Sequence, residues 1–114
     1  MLLAIGLSAL LWTASARTGT APADDITLST ASGRESAYIA VHLYRGTPHQ
    51  AYFTAVERIM TAHGGRPHWG KVHTHEAAEL SRLYPRWDDF QRVRRSMDPT
   101  GVFLNEFARR LFGD

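Results

Sequence analysis

The segment from residue 36 to 65 constrains the fold more than any other. Ala37, Ile39, Val41 and Leu43 alternate with Tyr38, Ala40, His42 and Tyr44. This period of two predicts a strand over 36–44, with an aliphatic face for the core and an amphipathic face for a cleft. Arg45-Gly46 ends it. Thr47-Pro48 then predicts a helix start, with Thr47 as N-cap and Pro48 at the first helical position, where its missing N–H does no harm. Tyr52, Phe53, Val56, Ile59, Met60 and His63 follow at helical spacing. Gly64-Gly65 supplies the left-handed residue that terminates helices. Strand, helix and stop form one βα unit.

On either side of that unit the signals are shorter. Residues 17–25 are small and polar, punctuated by Gly19 and Pro22, and predict a linker or loop. Ile26 to Ser29 reads as a short strand and Ser32-Gly33-Arg34 as a turn. Arg66-Pro67 holds the next stretch extended, because the residue before a proline is pushed out of the helical region. Thr74 is the expected cap of a short helix carrying Ala77, Ala78, Leu80 and Leu83, stopped by Pro85. A further helix is predicted from Trp87 to Met97, with Asp88 and Asp89 in its first turn and Arg94 and Arg95 in its last, as the macrodipole favours. Phe90, Val93 and Met97 are its expected inward face. Asp98-Pro99-Thr100-Gly101 reads as a type I turn. Asn105 caps a final helix expected to bury Phe107 and Leu111. The fold class is therefore α+β: a small mixed sheet, one βα unit and a C-terminal group of short helices.

The first 23 residues read as an apolar leader and linker, with the domain proper at 24–114. Leu2 to Trp12 is an apolar run of eleven, short of the roughly twenty that span a bilayer. Ala14-Ser15-Ala16 fits a signal-peptidase pattern, yet no Lys or Arg precedes the run. If residues 1–16 act as a signal, the chain is exported or membrane-associated through residues 2–12; otherwise it is cytoplasmic.

Charge and composition then exclude several functions. With no cysteine, disulfides, thiolate zinc sites and cysteine nucleophiles are ruled out. Seven arginines crowd residues 82–110, but Asp88, Asp89, Asp98 and Glu106 are interleaved with them. That pattern is a solvated face, and no nucleic-acid partner is expected. There is no G-x-S-x-G elbow, Walker A loop or G-x-G-x-x-G cradle.

What remains is one cluster. Twelve arginines are matched by a single lysine, Lys71, in Arg66-Pro67-His68-Trp69-Gly70-Lys71. A chain this biased towards arginine uses lysine where a compact, flexible charge is wanted. In an extended segment His68 and Gly70 would face one way, Trp69 and Lys71 the other. Gly70 lets a ligand approach the backbone, Trp69 offers a flat anchor, His68 a hydrogen bond to a cofactor, and Lys71 a cation for a developing anion. The same tetrapeptide is equally that of a structural Trp with a snorkelling Lys. His73, His75 and Glu76 offer two imidazoles and a carboxylate, but no third ligand at a characteristic spacing, and no metal is expected. His42 is either a satisfied histidine between tyrosines or a cleft residue.

Beyond these residues, Ala37-Tyr38-Ile39-Ala40-Val41-His42, Val56-Glu57-Arg58-Ile59, Gly64 to Lys71, Leu83-Tyr84-Pro85-Arg86-Trp87-Asp88-Asp89-Phe90, Arg94-Arg95, Asp98-Pro99 and Phe103-Leu104-Asn105 occur in an order that resembles the C-terminal region of the sugar-1,4-lactone and alditol oxidases. These include D-arabinono-1,4-lactone and L-gulonolactone oxidases, FAD-linked enzymes of the vanillyl-alcohol oxidase class. The resemblance implies part of a substrate or cap domain, and oxidation of a carbinol in a sugar lactone or polyol with hydride passing to FAD. It implies that His68 lies against FAD, that Lys71 is the catalytic, substrate-contacting cation, and that His42 lies on the substrate side. Two features depart from the family. Its FAD-binding domain is missing, so a separate FAD-binding domain or chain is the implied partner. Its Glu-x-Arg pair is matched only by Arg17, with no Glu two residues before. The expectation is a C-terminal fragment with an unrelated start, inactive by itself. The alternatives are a non-catalytic remnant or a small exported binding domain using a Trp- and Tyr-lined face.

Overall fold

The computed structural model describes residues 14–113, with side chains from residue 18 onward. The apolar run 2–12 lies outside the described residues. Two strands, β1 (Ala14–Ala21) and β2 (Ser36–Leu43), are followed by four helices: α1 (Gln50–Ala62), α2 (Ala77–Leu83), α3 (Trp87–Met97) and α4 (Glu106–Phe112). The expected α+β class is the one seen. The sheet is an antiparallel ribbon in which Ala14 opposes Leu43 and Ala21 opposes Ser36. Its parallel component is limited to an isolated bridge between Asp24 and Ser32.

Residues 17–21, expected as linker, are therefore strand. Their small and threonine-rich composition matches that of a loop, but a paired edge supplies the hydrogen bonds that composition does not reveal. The strand expected at Ile26–Ser29 is instead a side-chain-closed loop. Asp24 accepts from the Ile26 N–H at 3.0 Å and from the Ser29 hydroxyl. A short carboxylate that satisfies its own downstream backbone competes with strand pairing.

Helix α1 starts two residues later than expected. Its N-cap is His49, with no side-chain cap, and the Thr47 N–H is committed to a turn with the Tyr44 carbonyl. The glycine stop behaves as predicted. Gly64 has φ +66°, its N–H reaches the Thr61 carbonyl, and the Gly65 N–H reaches the Met60 carbonyl at 2.7 Å. These two bonds form a Schellman termination. Helix α2 is capped by Glu76 and Glu79 in a reciprocal capping box. Thr74, the expected cap, is engaged elsewhere. Pro85 follows Tyr84, whose extended backbone ends α2.

The core lies in the C-terminal half. Leu80, Tyr84, Trp87 and Leu111 are buried together, with Leu28, Trp69, Ala77, Leu83 and Phe112 packed around them. Rings join across elements: Trp69 stacks on Tyr84 at 5.1 Å, and Phe90 meets Phe112 at 5.0 Å. Arg66 ties three segments to this core. It donates to the carbonyls of Leu83, Thr30 and Ser32 and lies 4.9 Å over the Tyr84 ring.

Two inward faces differ from expectation. Helix α3 turns Trp87 and Gln91 inward, leaving Val93 and Met97 exposed. Phe107 is half exposed, although Leu111 is buried as expected. In both helices the buried stripe is set by the aromatic cluster around Phe112, and Val93, Met97 and Phe107 fall outside it. The aliphatic face of β2 also lacks a core, since Ala37 and Ile39 are exposed. No residue of α1 is fully buried.

Candidate functional site

Arg66-Pro67 leads out of the glycine stop into residues 68–71, and these form a turn rather than an extended segment. The Lys71 N–H donates to the His68 carbonyl at 3.0 Å, and the Gly70 N–H donates to His68 Nδ1 at 3.0 Å. The imidazole thus closes its own turn and breaks the expected alternation of faces. With Nδ1 accepting, Nε2 is the donor of the neutral ring. Trp69 turns inward. Its Nε1–H donates to the Leu28 carbonyl at 2.9 Å, and its ring lies against Tyr84 and Phe112.

His68, Gly70 and Lys71 are exposed. The Lys71 ammonium has no hydrogen bond or ion pair among the described residues. His42 is exposed on β2, opposite Ser15 in the register, and shares no hydrogen bond with the turn among the described residues. The structure therefore brings His68 and Lys71 together on one braced turn and leaves His42 on the ribbon. It turns Trp69 away from that turn, half-buried against Tyr84 and Phe112.

Two open hollows flank the core. One, of about 630 Å³, runs between α2 and α3 past Ala78, Ser81, Asp88 and Arg92. The other, of about 420 Å³ and almost wholly apolar, is floored by Trp69, Phe90, Phe107 and Leu111. Neither includes His42, His68 or Lys71. The FAD that the resemblance implies can be tested against these features. The chain has no glycine-rich cradle, and the polar heads of His68 and Lys71 lie outside both hollows. These residues fit contact with a flavin held by other parts of a protein, and they do not fit a site that grips one unaided.

Sequence reasoning found two members of a second cluster, His73 and His75, and missed the third. His73 and His75 are buried, and Glu57 of α1, not Glu76, lies beside them. His75 Nδ1 is 2.8 Å from Glu57 Oε1, and His75 Nε2 is 3.3 Å from the Thr61 hydroxyl. Thr74 donates to Glu57 from both its N–H and its hydroxyl. Burial pushes the Glu57 carboxyl up, but the hydrogen bonds from Thr74 and His75 outweigh it, and the net direction is down. Burial, reinforced by the Arg110 guanidinium, holds His73 below the usual imidazole range. Glu57 had one legible signal: it shares a helical stripe with Phe53, Val56 and Met60, where a lone carboxylate calls for a partner.

The His-Trp-Gly-Lys turn, with His68 and Lys71 exposed and Trp69 stacked on Tyr84 of the Tyr-Pro-Arg-Trp segment, carries the motifs on which the resemblance to the sugar-lactone oxidases rests. Residues 16–111 match the family model described as D-arabinono-1,4-lactone oxidase, and the chain belongs to that family. It is 54% identical over 90 residues to the L-gulono-1,4-lactone dehydrogenase of Mycobacterium tuberculosis, a match covering 79% of this chain and 21% of that protein. Similarity extends to the L-gulonolactone oxidase of Mus musculus, 39% identical over 93 residues, with 78% of this chain and 21% of that protein covered. The alditol oxidase of a Streptomyces species is 38% identical over 91 residues, with 77% and 21% covered. The chain thus spans about a fifth of the length of these curated relatives. Among the described residues, no helix is long and apolar enough to cross a membrane.

Proposed function

We propose that this chain is the C-terminal, substrate-side region of an FAD-dependent oxidoreductase acting on CH–OH groups of sugar lactones or alditols, and that it works only together with an FAD-binding domain. Family membership supports the class of reaction. The observation that carries the assignment to this chain's own residues is the turn at 68–71. An exposed ammonium and imidazole sit there on a backbone fixed by the indole behind them. Bound FAD would supply the two-electron acceptor.

The protein's own contribution is positioning and charge. Lys71 is the catalytic cation, steadying the polarised substrate oxygen once the FAD-binding domain excludes water, where such a charge acts most strongly. His68 donates from Nε2 to the cofactor, its ring orientation set by the Gly70 N–H. His42 binds a substrate hydroxyl from the ribbon. The neighbouring relatives are named for lactones and an alditol, which supports polyhydroxylated substrates.

The test mixes the purified chain with a separately expressed FAD-binding region of a relative and follows lactone and alditol oxidation. Turnover is expected only in the mixture. Lys71→Ala lowers kcat on the order of a hundredfold or more, the loss typical of one transition-state donor. His42→Ala raises KM about tenfold, roughly one hydrogen bond's worth. Lys71→Ala supporting wild-type turnover removes that residue from the mechanism, and a folded mixture that binds flavin yet turns over neither substrate overturns the reading.

A further inference from the structure

The Glu57, His73 and His75 cluster is not used by the proposed oxidation, and its chemistry is that of a ligand set. One donor atom from each residue lies within 4.8 Å of the other two. The three come from two segments: Glu57 from α1, His73 and His75 from the stretch that follows the 68–71 turn. The His73 and His75 rings stand 6.0 Å apart at 70°, so they meet edge to face rather than stacking.

His73 is the odd member. It is only 9% exposed, and neither Nδ1 nor Nε2 has a hydrogen-bond partner among the described residues. A buried imidazole with both nitrogens unmatched is costly, and native structures rarely leave one without a reason. A cation coordinated by one nitrogen would supply it.

The outer shell is already built. Thr74 holds the Glu57 carboxylate with two hydrogen bonds, and the Thr61 hydroxyl lies against the far nitrogen of His75. Metal-ligating imidazoles and carboxylates are oriented by such contacts. The opposing charge is Arg110. Its guanidinium donates to the backbone carbonyls of His73 and His75, at 3.3 and 3.4 Å, rather than to the ring nitrogens, so it leaves the ligand atoms free.

We propose that Glu57, His73 and His75 bind one divalent first-row transition ion, Zn²⁺, as a clamp fastening α1 to the segment behind the 68–71 turn. Two imidazoles and a carboxylate are borderline nitrogen and oxygen donors that suit zinc, with a fourth position left for water. The ion takes the place of the proton shared between His75 Nδ1 and Glu57 Oε1. The site is structural and stands independently of the redox reading.

The test uses the full chain after chelator treatment, titrated with Co²⁺ followed by visible absorption and with Zn²⁺ followed by calorimetry. The expected result is saturable binding of a single Co²⁺ with ligand-field bands of nitrogen and oxygen coordination. Zn²⁺ should displace it and raise the unfolding temperature. Glu57→Gln, which keeps the side chain's size and removes its charge, and His73→Phe, which keeps a ring of similar size, each weaken binding about tenfold or more. His68→Gln and His42→Gln leave it unchanged. No saturable Co²⁺ binding by the wild-type chain overturns the proposal, as does undiminished binding in either ligand variant. If His73→Phe does not fold by circular dichroism, Glu57→Gln decides alone.

Discussion

At Trp69 one indole does two things: its N–H satisfies the Leu28 carbonyl, and its ring fills the space between Tyr84 and Phe112. The two parts can be separated. Trp69→Phe keeps most of the packing and should cost about 1 kcal/mol, the loss of one hydrogen bond to a half-buried carbonyl. Trp69→Ala should cost about 3 kcal/mol, because a large ring leaves the core. Urea unfolding measures both, and equal losses would mean that the ring packing contributes nothing. The glycines before and inside the turn also divide by geometry. A Cβ on Gly65 would lie 2.7 Å from the Met60 carbonyl oxygen, so Gly65→Ala should destabilise by about 2 kcal/mol through backbone displacement. At Gly70 the nearest atom is His68 Cε1 at 3.5 Å, an ordinary contact, so Gly70→Ala should stay within about 0.5 kcal/mol of wild type. The sequence marked Gly70 as a place for close ligand approach, and its local backbone has no need of glycine.

At the level of elements, the signals that proved legible were those whose partner lies within a few residues. Asn105 caps α4 through the Ala108 N–H at 2.8 Å, and Asp98 closes its turn by accepting from the Val102 and Phe103 N–H groups. The bounds of α3 follow from Pro85 and the charges at its two ends. The misreadings needed distant partners. β1 is a strand because β2 pairs with it, and α2 is capped by Glu76 while Thr74 is held two residues upstream by its bonds to Glu57, seventeen residues earlier. The junction of α2 and α3 carries its own pH test. Tyr84 is almost wholly buried, its hydroxyl has no partner among the described residues, and burial pushes the phenol up to about 12. The folded protein therefore holds that proton more tightly than the unfolded chain. The resulting stability is complete below the ordinary value of 10.0 and lost as pH rises through about 12. Tyr84→Phe should flatten the fall in unfolding temperature across that window. At neutral pH it should equal or exceed wild-type stability by up to about 1 kcal/mol, since it removes an unmatched hydroxyl. A steeper alkaline fall in the variant would refute this.

At the scale of the molecule, apolar faces outnumber the elements that cover them among the described residues. The radius of gyration is 16.7 Å, against about 13 Å for a compact domain of this length. Ile39 on the ribbon, Ile59 on α1, and Val93, Met97, Val102 and Phe103 beyond the core are all at least half exposed. Their periodicity was legible in the sequence, but periodicity says only that a face is apolar, not that the same chain covers it. Uncovered apolar faces drive association, so the chain by itself should self-associate. Analytical ultracentrifugation should show concentration-dependent oligomers that Phe103→Glu weakens, and a strictly monomeric wild-type chain would contradict this. The site follows the same logic. His68 and Lys71 were legible as a motif, but no spacing rule showed that residues 68–71 form a turn closed by the His68 imidazole rather than an extended segment. The most direct measurement transplants residues 16–111 in place of the matching segment of the mycobacterial L-gulono-1,4-lactone dehydrogenase and assays lactone oxidation at equal flavin content. The account predicts a turning-over chimera whose activity Lys71→Ala abolishes without loss of flavin. A flavin-loaded chimera that is inactive, or one indifferent to Lys71→Ala, would contradict it.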